Sequence, residues 1–197
     1  MTASGTPRFD AEAYLAWEAA QPLKHEFVAG EVFAMAGASD AHVTVAGNVY
    51  SALRAHLRGT PCRTYIADMK LRVEAADAFF YPDVFVTCSA ADAARPQFKA
   101  EPVLAVEVLS PSTAAYDRGA KFAAYRGVAS LQEYVLIDPE HPGVEVFRRD
   151  AAGHWVLFPY GADDVAAFTS VGLQLPVAAV FEDVLTPSAA AGEALPA

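Results

Sequence analysis

Two short apolar runs, each with one carboxylate near its middle, most constrain what this chain can fold into. Residues 80–88 read FYPDVFVTC and contain Asp83, and residues 103–113 read VLAVEVLSPST and contain Glu107. Runs of this length and composition are typical of strands that are buried in a sheet. An isolated charge at such a position must pair, bind a cation or lose its charge. The simplest explanation for two such carboxylates is that both reach one divalent cation.

The pleat of a strand predicts how these carboxylates would meet. Side chains alternate between the two faces of a strand, so Asp83 and Glu107 converge if their strands are neighbours with these faces on the same side. Two carboxylates and a main-chain carbonyl, such as that of Val108, are hard oxygen ligands. They suit Mg²⁺ (or Mn²⁺) better than zinc, with water in the remaining positions.

The segment after Glu107 predicts a helix that supplies a cation. A Ser-Pro-Ser-Thr turn ends the strand, and a helix is expected over residues 116–126. Asp117, Lys121 and Tyr125 are spaced four residues apart and share one helical face. We expect Lys121 to lean toward the carboxylates and to orient a water or stabilise charge on a phosphate. If its amine points to solvent instead, Lys70 is the next candidate.

The remaining pattern predicts an α/β (α+β) fold with a mixed sheet flanked by helices and additional antiparallel hairpins. We expect one domain over residues 1–197, with its core at about 10–185 and a frayed tail at 186–197. A loop is expected at 90–101. The other expected elements are a helix at 11–18 capped by Asp10, a hairpin at 25–35, a helix at 40–58 capped by Ser39, one strand at 63–73 antiparallel to the strand of Asp83, a strand at 131–138, a hairpin at 144–158 and final segments at 171–175 and 177–184.

Composition limits the classes of function. The formal net charge of −10 argues against a protein that coats nucleic acid or anionic membrane by bulk electrostatics, although a local basic groove stays possible. No apolar run reaches transmembrane length and the start of the chain lacks a leader pattern, so we expect a cytoplasmic protein without membrane contact. Cys62 and Cys88 are far apart in sequence, which favours two buried free thiols over a disulfide framework.

Several segments together resemble the Uma-type family of restriction endonucleases, which are small members of the PD-(D/E)XK nuclease superfamily. The segments are YPDV around Asp83, VEVLSPST around Glu107, YDRGAKFAAYR around Lys121, LQEYVLID from residue 131, and upstream His25-Glu26 with Gly30-Glu31, Met35-Ala-Gly and His42. The resemblance implies a restriction-endonuclease-like fold, a Mg²⁺-type ion and hydrolysis of DNA phosphodiester bonds. Asp83 matches the aspartate of the motif and Glu107 its second acidic position. The lysine of the motif should lie two residues later, where this chain has Leu109, so its role would pass to Lys121.

Each candidate also has a purely structural interpretation. Asp83 could cap a strand end as a turn residue, Glu107 could be an edge-strand charge, and Lys121 could be a solvated partner of Asp117. Further possible site residues are Glu26, which could instead be an exposed hairpin residue, and His42, which could instead pack or cap near a helix start.

Three functions fit these observations. The first is a Mg²⁺-dependent DNA endonuclease, the second is an inactive nuclease-fold module that binds nucleic acid or a partner, and the third is a metal-dependent hydrolase of a small phosphate ester. Cutting both strands of a duplex calls for two active sites, so we expect a homodimer, with the apolar hairpins after Pro142 as its interface.

Overall fold

The structure is a computed structural model, and it describes residues 9–184. The helices are α1 (Ala11–Glu18), α2 (Asp40–His56), α3 (Ala90–Ala94), α4 (Ala114–Tyr116), the π-helical turn π1 (Asp117–Lys121), α5 (Phe122–Tyr125) and α6 (Val177–Val180). The strands are β1 (His25–Val28), β2 (Glu31–Ala34), β3 (Arg63–Ile66), β4 (Lys70–Val73), β5 (Ala78–Phe80), β6 (Val84–Thr87), β7 (Phe98–Lys99), β8 (Pro102–Val108), β9 (Glu133–Ile137), β10 (Gly143–Arg149), β11 (Trp155–Gly161), β12 (Val165–Phe168) and β13 (Leu173–Pro176). The frayed tail expected at 186–197 lies outside the described residues.

The strands form mixed sheets, as the sequence predicted. One sheet has six strands in the order β11-β10-β9-β8-β6-β3, and a second has five in the order β2-β1-β5-β4-β7. The β8–β9 and β4–β7 pairs are parallel, while the other pairs in these two sheets are antiparallel. Strands β12 and β13 form a separate antiparallel pair. The predicted fold class is therefore confirmed.

A bent hairpin joins the two large sheets, and it corrects the prediction of one long strand at 63–73. The chain turns after β3 at Ala67, whose φ of 46° lies in the left-handed region, and β4 then enters the other sheet. The opposite arm breaks between β5 and β6, so that β3 pairs with β6 and β4 pairs with β5. Asp83 lies in a bend directly before β6 and not in the middle of a strand.

Side-chain alternation in the six-stranded sheet separates two hydrophobic layers. Val84, Val106 and Val135 face the cluster that contains α2, whereas Phe85 and Ala105 face the cluster that contains Tyr125. The second cluster also includes residues of β4 and β5, so the five-stranded sheet packs on this face together with the helical segment after β8. Ala105 of β8 points toward this side, and by alternation so does Glu107 two residues later.

The two long helices are positioned by their caps and their apolar faces. Asp10 accepts a hydrogen bond from the N–H of Ala13 at the start of α1, and Ser39 accepts one from His42 at the start of α2. Both predicted caps are confirmed. Helix α1 packs Tyr14 against Phe27 of β1, with ring centroids 5.1 Å apart.

Other parts of the chain differ from the prediction in detail. The expected loop at 90–101 contains α3 and β7, because Ser89 caps a short helix there. The final segment at 177–184 begins as helix α6. The prediction of a single domain stays a prediction. Among the helices of residues 9–184, none combines the length and the apolar character that crossing a bilayer requires.

The two cysteines form a disulfide, so the prediction of buried free thiols was wrong. Cys62 directly precedes β3 and Cys88 directly follows β6, and both are partly exposed. Arg63 pairs with Thr87 across these antiparallel strands, so extending the register by one residue sets the cysteines opposite each other. A separation of 26 residues in sequence concealed this pairing.

We predict that replacing both cysteines by serine lowers the free energy of unfolding by about 3 kcal/mol, because the bond closes a chain segment that is otherwise free in the unfolded state. Urea unfolding of wild-type and doubly substituted protein would measure this loss. The wild-type protein in a strong thiol reductant should show the same loss. Equal stability with and without reductant would mean that the bond does not stabilise the protein in solution.

Candidate functional site

Strand register brings Asp83 and Glu107 to the same place. Val84 pairs with Val106 across β6 and β8, and continuing this antiparallel register by one residue sets Asp83 opposite Glu107. Strand β8 has a neighbour on each side, β6 and β9, so Glu107 lies deep in the sheet and is only 3% exposed. The sheet therefore brings the two predicted carboxylates together.

Both carboxylate oxygens of Asp83 accept hydrogen bonds from the protein. His42 Nε2 lies 2.8 Å from Oδ1, and the N–H of Val108 donates to Oδ2 over 2.7 Å. His42 reaches this position from the first turn of α2, and Val108 from the end of β8. The carboxylate is thereby fixed in orientation while it remains partly open to solvent.

The ammonium of Lys121 lies at the centre of the acidic groups. Its Nζ is 3.0 Å from Glu107 Oε1, 3.1 Å from Glu26 Oε1 and 3.6 Å from Asp117 Oδ1. The side chain of Lys121 is 6% exposed, so the amine points into the protein and not to solvent. The alternative candidate, Lys70, is therefore not required. The Lys70 amine lies over the ring of Tyr81, 5.4 Å from the ring centroid.

A π-helical turn carries Lys121 to this position. The sequence predicted a regular α-helix over 116–126, but residues Asp117–Lys121 form the wider π1 turn between α4 and α5. Such turns occur mostly as single insertions in α-helices and are frequent at functional sites. Asp117 at its start and Lys121 at its end both face the site, as the predicted spacing required.

Glu26 enters the site from the other sheet. It lies on β1, and its Oε1 accepts a hydrogen bond from the N–H of Tyr81 at 3.3 Å, close to the break that contains Asp83. The side chain of Glu26 is 14% exposed, which excludes the interpretation as a freely exposed hairpin residue. We call the group Glu26, Asp83, Glu107, Asp117 and Lys121 the acidic cluster.

Burial and mutual repulsion shift the pKa values within the acidic cluster. Burial raises the pKa of Glu107 well above its usual value; Lys121 opposes this shift, and the neighbouring carboxylates reinforce it. Burial likewise raises the pKa of Asp117. Burial alone would lower the pKa of Lys121, but Glu107, Glu26 and Asp117 outweigh it and raise that pKa. Lys121 therefore stays charged, whereas Glu107 and Asp117 lose their protons less readily than exposed carboxyl groups do.

The donor set fits a hard cation bound through few protein ligands. Within residues 9–184, no three or more histidine, cysteine, aspartate and glutamate side chains are arranged as a ready metal cage. A cation here would rely on Asp83, Glu107, a main-chain carbonyl such as that of Val108, and water. Mg²⁺ usually keeps several waters and binds through one or two carboxylates, so this sparse oxygen set fits it.

Some supporting residues were missed in the sequence. Tyr125 shares the predicted helical face, and its hydroxyl donates to Glu107 Oε1 at 3.0 Å, a contact that the spacing suggested but that we did not assign. Glu18 of α1 accepts hydrogen bonds from the Tyr81 hydroxyl at 2.9 Å and from the N–H of His25 at 2.9 Å. No local pattern indicates that Glu18 supports the segment leading to Asp83.

The purely structural interpretations of the candidate residues agree with the structure in some cases and fail in others. Asp83 does lie at a strand start, as a turn residue would. Glu107 is not an edge-strand charge, and Lys121 is not solvated, because both are buried. His42 lies at a helix start as expected, and its side chain is hydrogen-bonded to Asp83.

Comparison with known proteins identifies the family. A model of the Uma2 family, described as "Putative restriction endonuclease", matches residues 11–178. The chain belongs to the Uma2 family. The match covers the acidic cluster, His42 and both large sheets, so the resemblance found in the sequence is confirmed.

Two relatives agree with this assignment, and a solved structure shares the fold. The chain is 35% identical to the uncharacterized protein slr1290 of Synechocystis over 175 residues, covering 89% of this chain and 92% of the relative. It is 33% identical to the uncharacterized protein sll1609 of the same organism over 164 residues, covering 80% and 90%. A crystal structure from Anabaena variabilis, described as a "putative nuclease belonging to DUF820", superposes with a TM-score of 0.72 at 17% identity, covering 90% of this chain and 99% of that one. This last likeness concerns the fold.

We predict that Glu107 makes the metal-free Uma2 protein less stable as pH rises. In the folded state burial raises the pKa of Glu107 above its ordinary value of 4.5. Such a group contributes fully to the free energy of unfolding at pH values below 4.5. This contribution is lost as the pH rises through the raised pKa. Glu107→Gln removes the titration. The stability of the variant relative to wild type should therefore increase from acidic to mildly basic pH, measured by urea unfolding in chelator. A relative stability that decreases with pH would mean that the pKa of Glu107 is lowered.

Proposed function

We propose that this Uma2 protein is a Mg²⁺-dependent endonuclease that hydrolyses DNA phosphodiester bonds. The observation that carries this proposal is the ammonium of Lys121, held 3.0 Å from Glu107 within the acidic cluster. Two carboxylates and one lysine are the charged groups that the PD-(D/E)XK motif requires, although here the lysine comes from a helix. The family description and the nuclease-like fold support the same conclusion.

Asp83 and Glu107, with the carbonyl of Val108, would hold the cation. Bound there, Mg²⁺ supplies charge neutralisation of the phosphate and a water of lowered pKa. In the reaction a water oxygen forms a bond to phosphorus and the bond from phosphorus to a sugar oxygen breaks. The attacking water loses a proton to solvent and the leaving oxygen gains one, so the charges balance.

Lys121 would orient the attacking water and stabilise the charge on the phosphate. Its ammonium stays protonated because three carboxylates surround it, and its position is fixed because it is buried. A preorganised charge in a poorly hydrated site needs little reorganisation during the reaction. We assign Lys121 to this role and not to metal binding.

The other predicted residues would support these groups. His42 orients Asp83 through its Nε2, and Asp117 tethers Lys121 from the start of π1. Glu26 is positioned to add a carboxylate on the partly open side of the cluster. These assignments follow from hydrogen-bond partners and burial, and they belong to the same proposal.

The alternatives have unequal support. The net charge of −10 favours a module that binds without cutting, so the cleavage assay below decides between them. A small phosphate ester would need a pocket at the cluster. Two cavities of the described residues, of about 470 and 230 Å³, are lined by residues such as Arg118, Asp138 and Ser110, outside the acidic cluster.

We predict that the purified protein cuts DNA with Mg²⁺ or Mn²⁺, and that Asp83→Asn and Lys121→Ala each reduce the rate by roughly 100-fold or more. Supercoiled, linear and single-stranded DNA would be compared by gel assay. Lys121→Arg should restore little activity, because a planar guanidinium differs in shape from an ammonium. Arg118→Ala is the matched control, since this neighbouring cation is exposed and pairs with Glu145 outside the cluster.

Two measurements separate chemistry from folding in these variants. Removing Lys121 leaves buried carboxylates without their cation, so melting temperatures must accompany the rates. Calorimetry with Mn²⁺ should give weaker binding for Glu107→Gln than for wild type and nearly unchanged binding for Lys121→Ala. Wild-type cleavage in chelator, or equal Mn²⁺ binding by wild type and Glu107→Gln, would contradict the assignment.

The proposal includes a homodimer built through β11. This strand lies at the edge of the six-stranded sheet, and the consecutive residues Val156, Leu157 and Phe158 are exposed on both of its faces. An exposed apolar edge is a template for pairing with another strand. Two copies of β11 paired about a twofold axis would form one continuous sheet.

A cytoplasmic location also stays a proposal. The disulfide between Cys62 and Cys88 argues against this location, because disulfides are rare in the cytoplasm.

We predict a mass in solution of twice 20.9 kDa, measured by light scattering. Leu157→Lys should convert the protein to a monomer, because a charge on an edge strand opposes pairing. Val165→Lys, at an exposed apolar residue of β12, is the control and should leave the dimer intact. A monomeric wild type over the working range of concentration would exclude the dimer.

A further inference from the structure

Exposed apolar side chains surround the acidic cluster. In the antiparallel β1–β2 hairpin Glu26 pairs directly with Phe33, so both side chains project from the same face. The opposite face, with Phe27, packs against α1. Phe33 therefore lies on the side where Glu26 meets Lys121, and it is 50% exposed. Met35, two residues further along, continues this face and is also exposed.

One other exposed residue completes this surface from a different element. Tyr116 directly precedes Asp117 and is 38% exposed. Burial and then the charge of Glu26 raise the pKa of the Tyr116 hydroxyl, which agrees with a position beside the cluster. We call Phe33, Met35 and Tyr116 the apolar rim.

The basic side chains of Lys24, Lys70 and Lys121 already have partners within the protein. Lys24, which shares a hairpin face with Glu26, pairs with Asp68 at 2.8 Å. Lys121 is held by carboxylates, and the amine of Lys70 lies over the ring of Tyr81. Arg54 lies more than three turns beyond His42 on α2, about 18 Å along the helix axis. Among residues 9–184, the opening of the site thus combines exposed apolar groups with carboxylates and not with unpaired cations.

This combination disfavours a DNA duplex. A duplex presents phosphates on its outside and keeps its bases stacked inside, so proteins bind it chiefly through lysine and arginine. Glu107, Asp117 and Lys121 are also almost fully buried, so a reacting phosphate must approach a recessed centre. A rigid double helix approaches such a centre less readily than a flexible strand.

From the apolar rim we propose that the site acts on unpaired DNA strands, whose bases stack on Phe33 and Tyr116. An unpaired strand exposes the flat faces of its bases, and these bind aromatic side chains without needing positive charge. Met35 extends the apolar contact beside Phe33. The proposal rests on the proposed nuclease function for the identity of the site, and it specifies the class of DNA that the site accepts.

Binding without cleavage gives the first test. A fluorescent oligonucleotide of roughly 15 nucleotides would be titrated in chelator, alone and paired with its complement, and followed by anisotropy. We expect the single strand to bind roughly tenfold more tightly, and Phe33→Ala and Tyr116→Ala each to weaken its binding by roughly fivefold or more. Tyr116→Phe keeps the ring and should bind as wild type. Val165→Ala, an exposed apolar residue of β12, should also bind as wild type.

The outcomes of binding and cleavage are separable. Stronger binding of duplex, no binding of either form, or unchanged binding by both alanine variants would overturn the strand preference. If the single strand binds through Phe33 and Tyr116 but no DNA is cut with Mg²⁺ or Mn²⁺, the proposed nuclease function is wrong and the strand preference stands. If duplex is cut faster than single strand and the alanine variants cut normally, the nuclease function stands and the strand preference is wrong.

Discussion

The neutralisation of buried carboxylates by Lys121 is the interaction on which the rest of this site depends. Glu107 cannot remain charged in an apolar sheet face without a cation, and Lys121 cannot be buried without anions. The two charges therefore stabilise each other in the buried site. Glu26 and Asp117 also pair with the ammonium of Lys121, at 3.1 and 3.6 Å. Because Glu26 comes from one sheet and Glu107 from the other, this lysine also joins the two sheets electrostatically.

The bent hairpin is the feature of the fold that makes this meeting possible. Had residues 63–73 and 80–88 remained continuous strands, they would have formed part of one sheet. The turn at Ala67 and the break before Asp83 instead send β4 and β5 into a second sheet that folds over the first. The carbonyl of Asp83 accepts a hydrogen bond from the N–H of Ala67 at 3.0 Å, so the two breaks lie directly opposite each other. The carboxylate thus emerges where the sheets diverge, next to the end of β8.

The charge distribution of the molecule is unusual for the DNA cleavage proposed above. With 24 acidic and 14 basic residues, it has no excess of cations to attract phosphates over a long range. Several of its arginines form ion pairs with carboxylates of the protein itself. Arg148, for example, pairs with the fully buried Glu133, which also accepts hydrogen bonds from Thr169 and Ser170. Association with a polyanion would therefore depend on the local chemistry of the site, namely a bound cation, one lysine and the apolar rim, and not on the overall field.

The sequence by itself determined the local features. Strand alternation and apolar runs identified Asp83 and Glu107, capping residues located α1 and α2, and four-residue spacing aligned Asp117 with Lys121, because these are properties of neighbouring residues. Only the tertiary structure decided which distant segments meet. Glu26 joins Lys121, Cys62 bonds Cys88, and Phe33 comes to lie beside the acidic cluster. The turn at Ala67 also has no local signature, because burial in two separate sheets fixes it. Contacts between residues far apart in the chain leave no periodic pattern, so the free energy of packing the whole fold selects them.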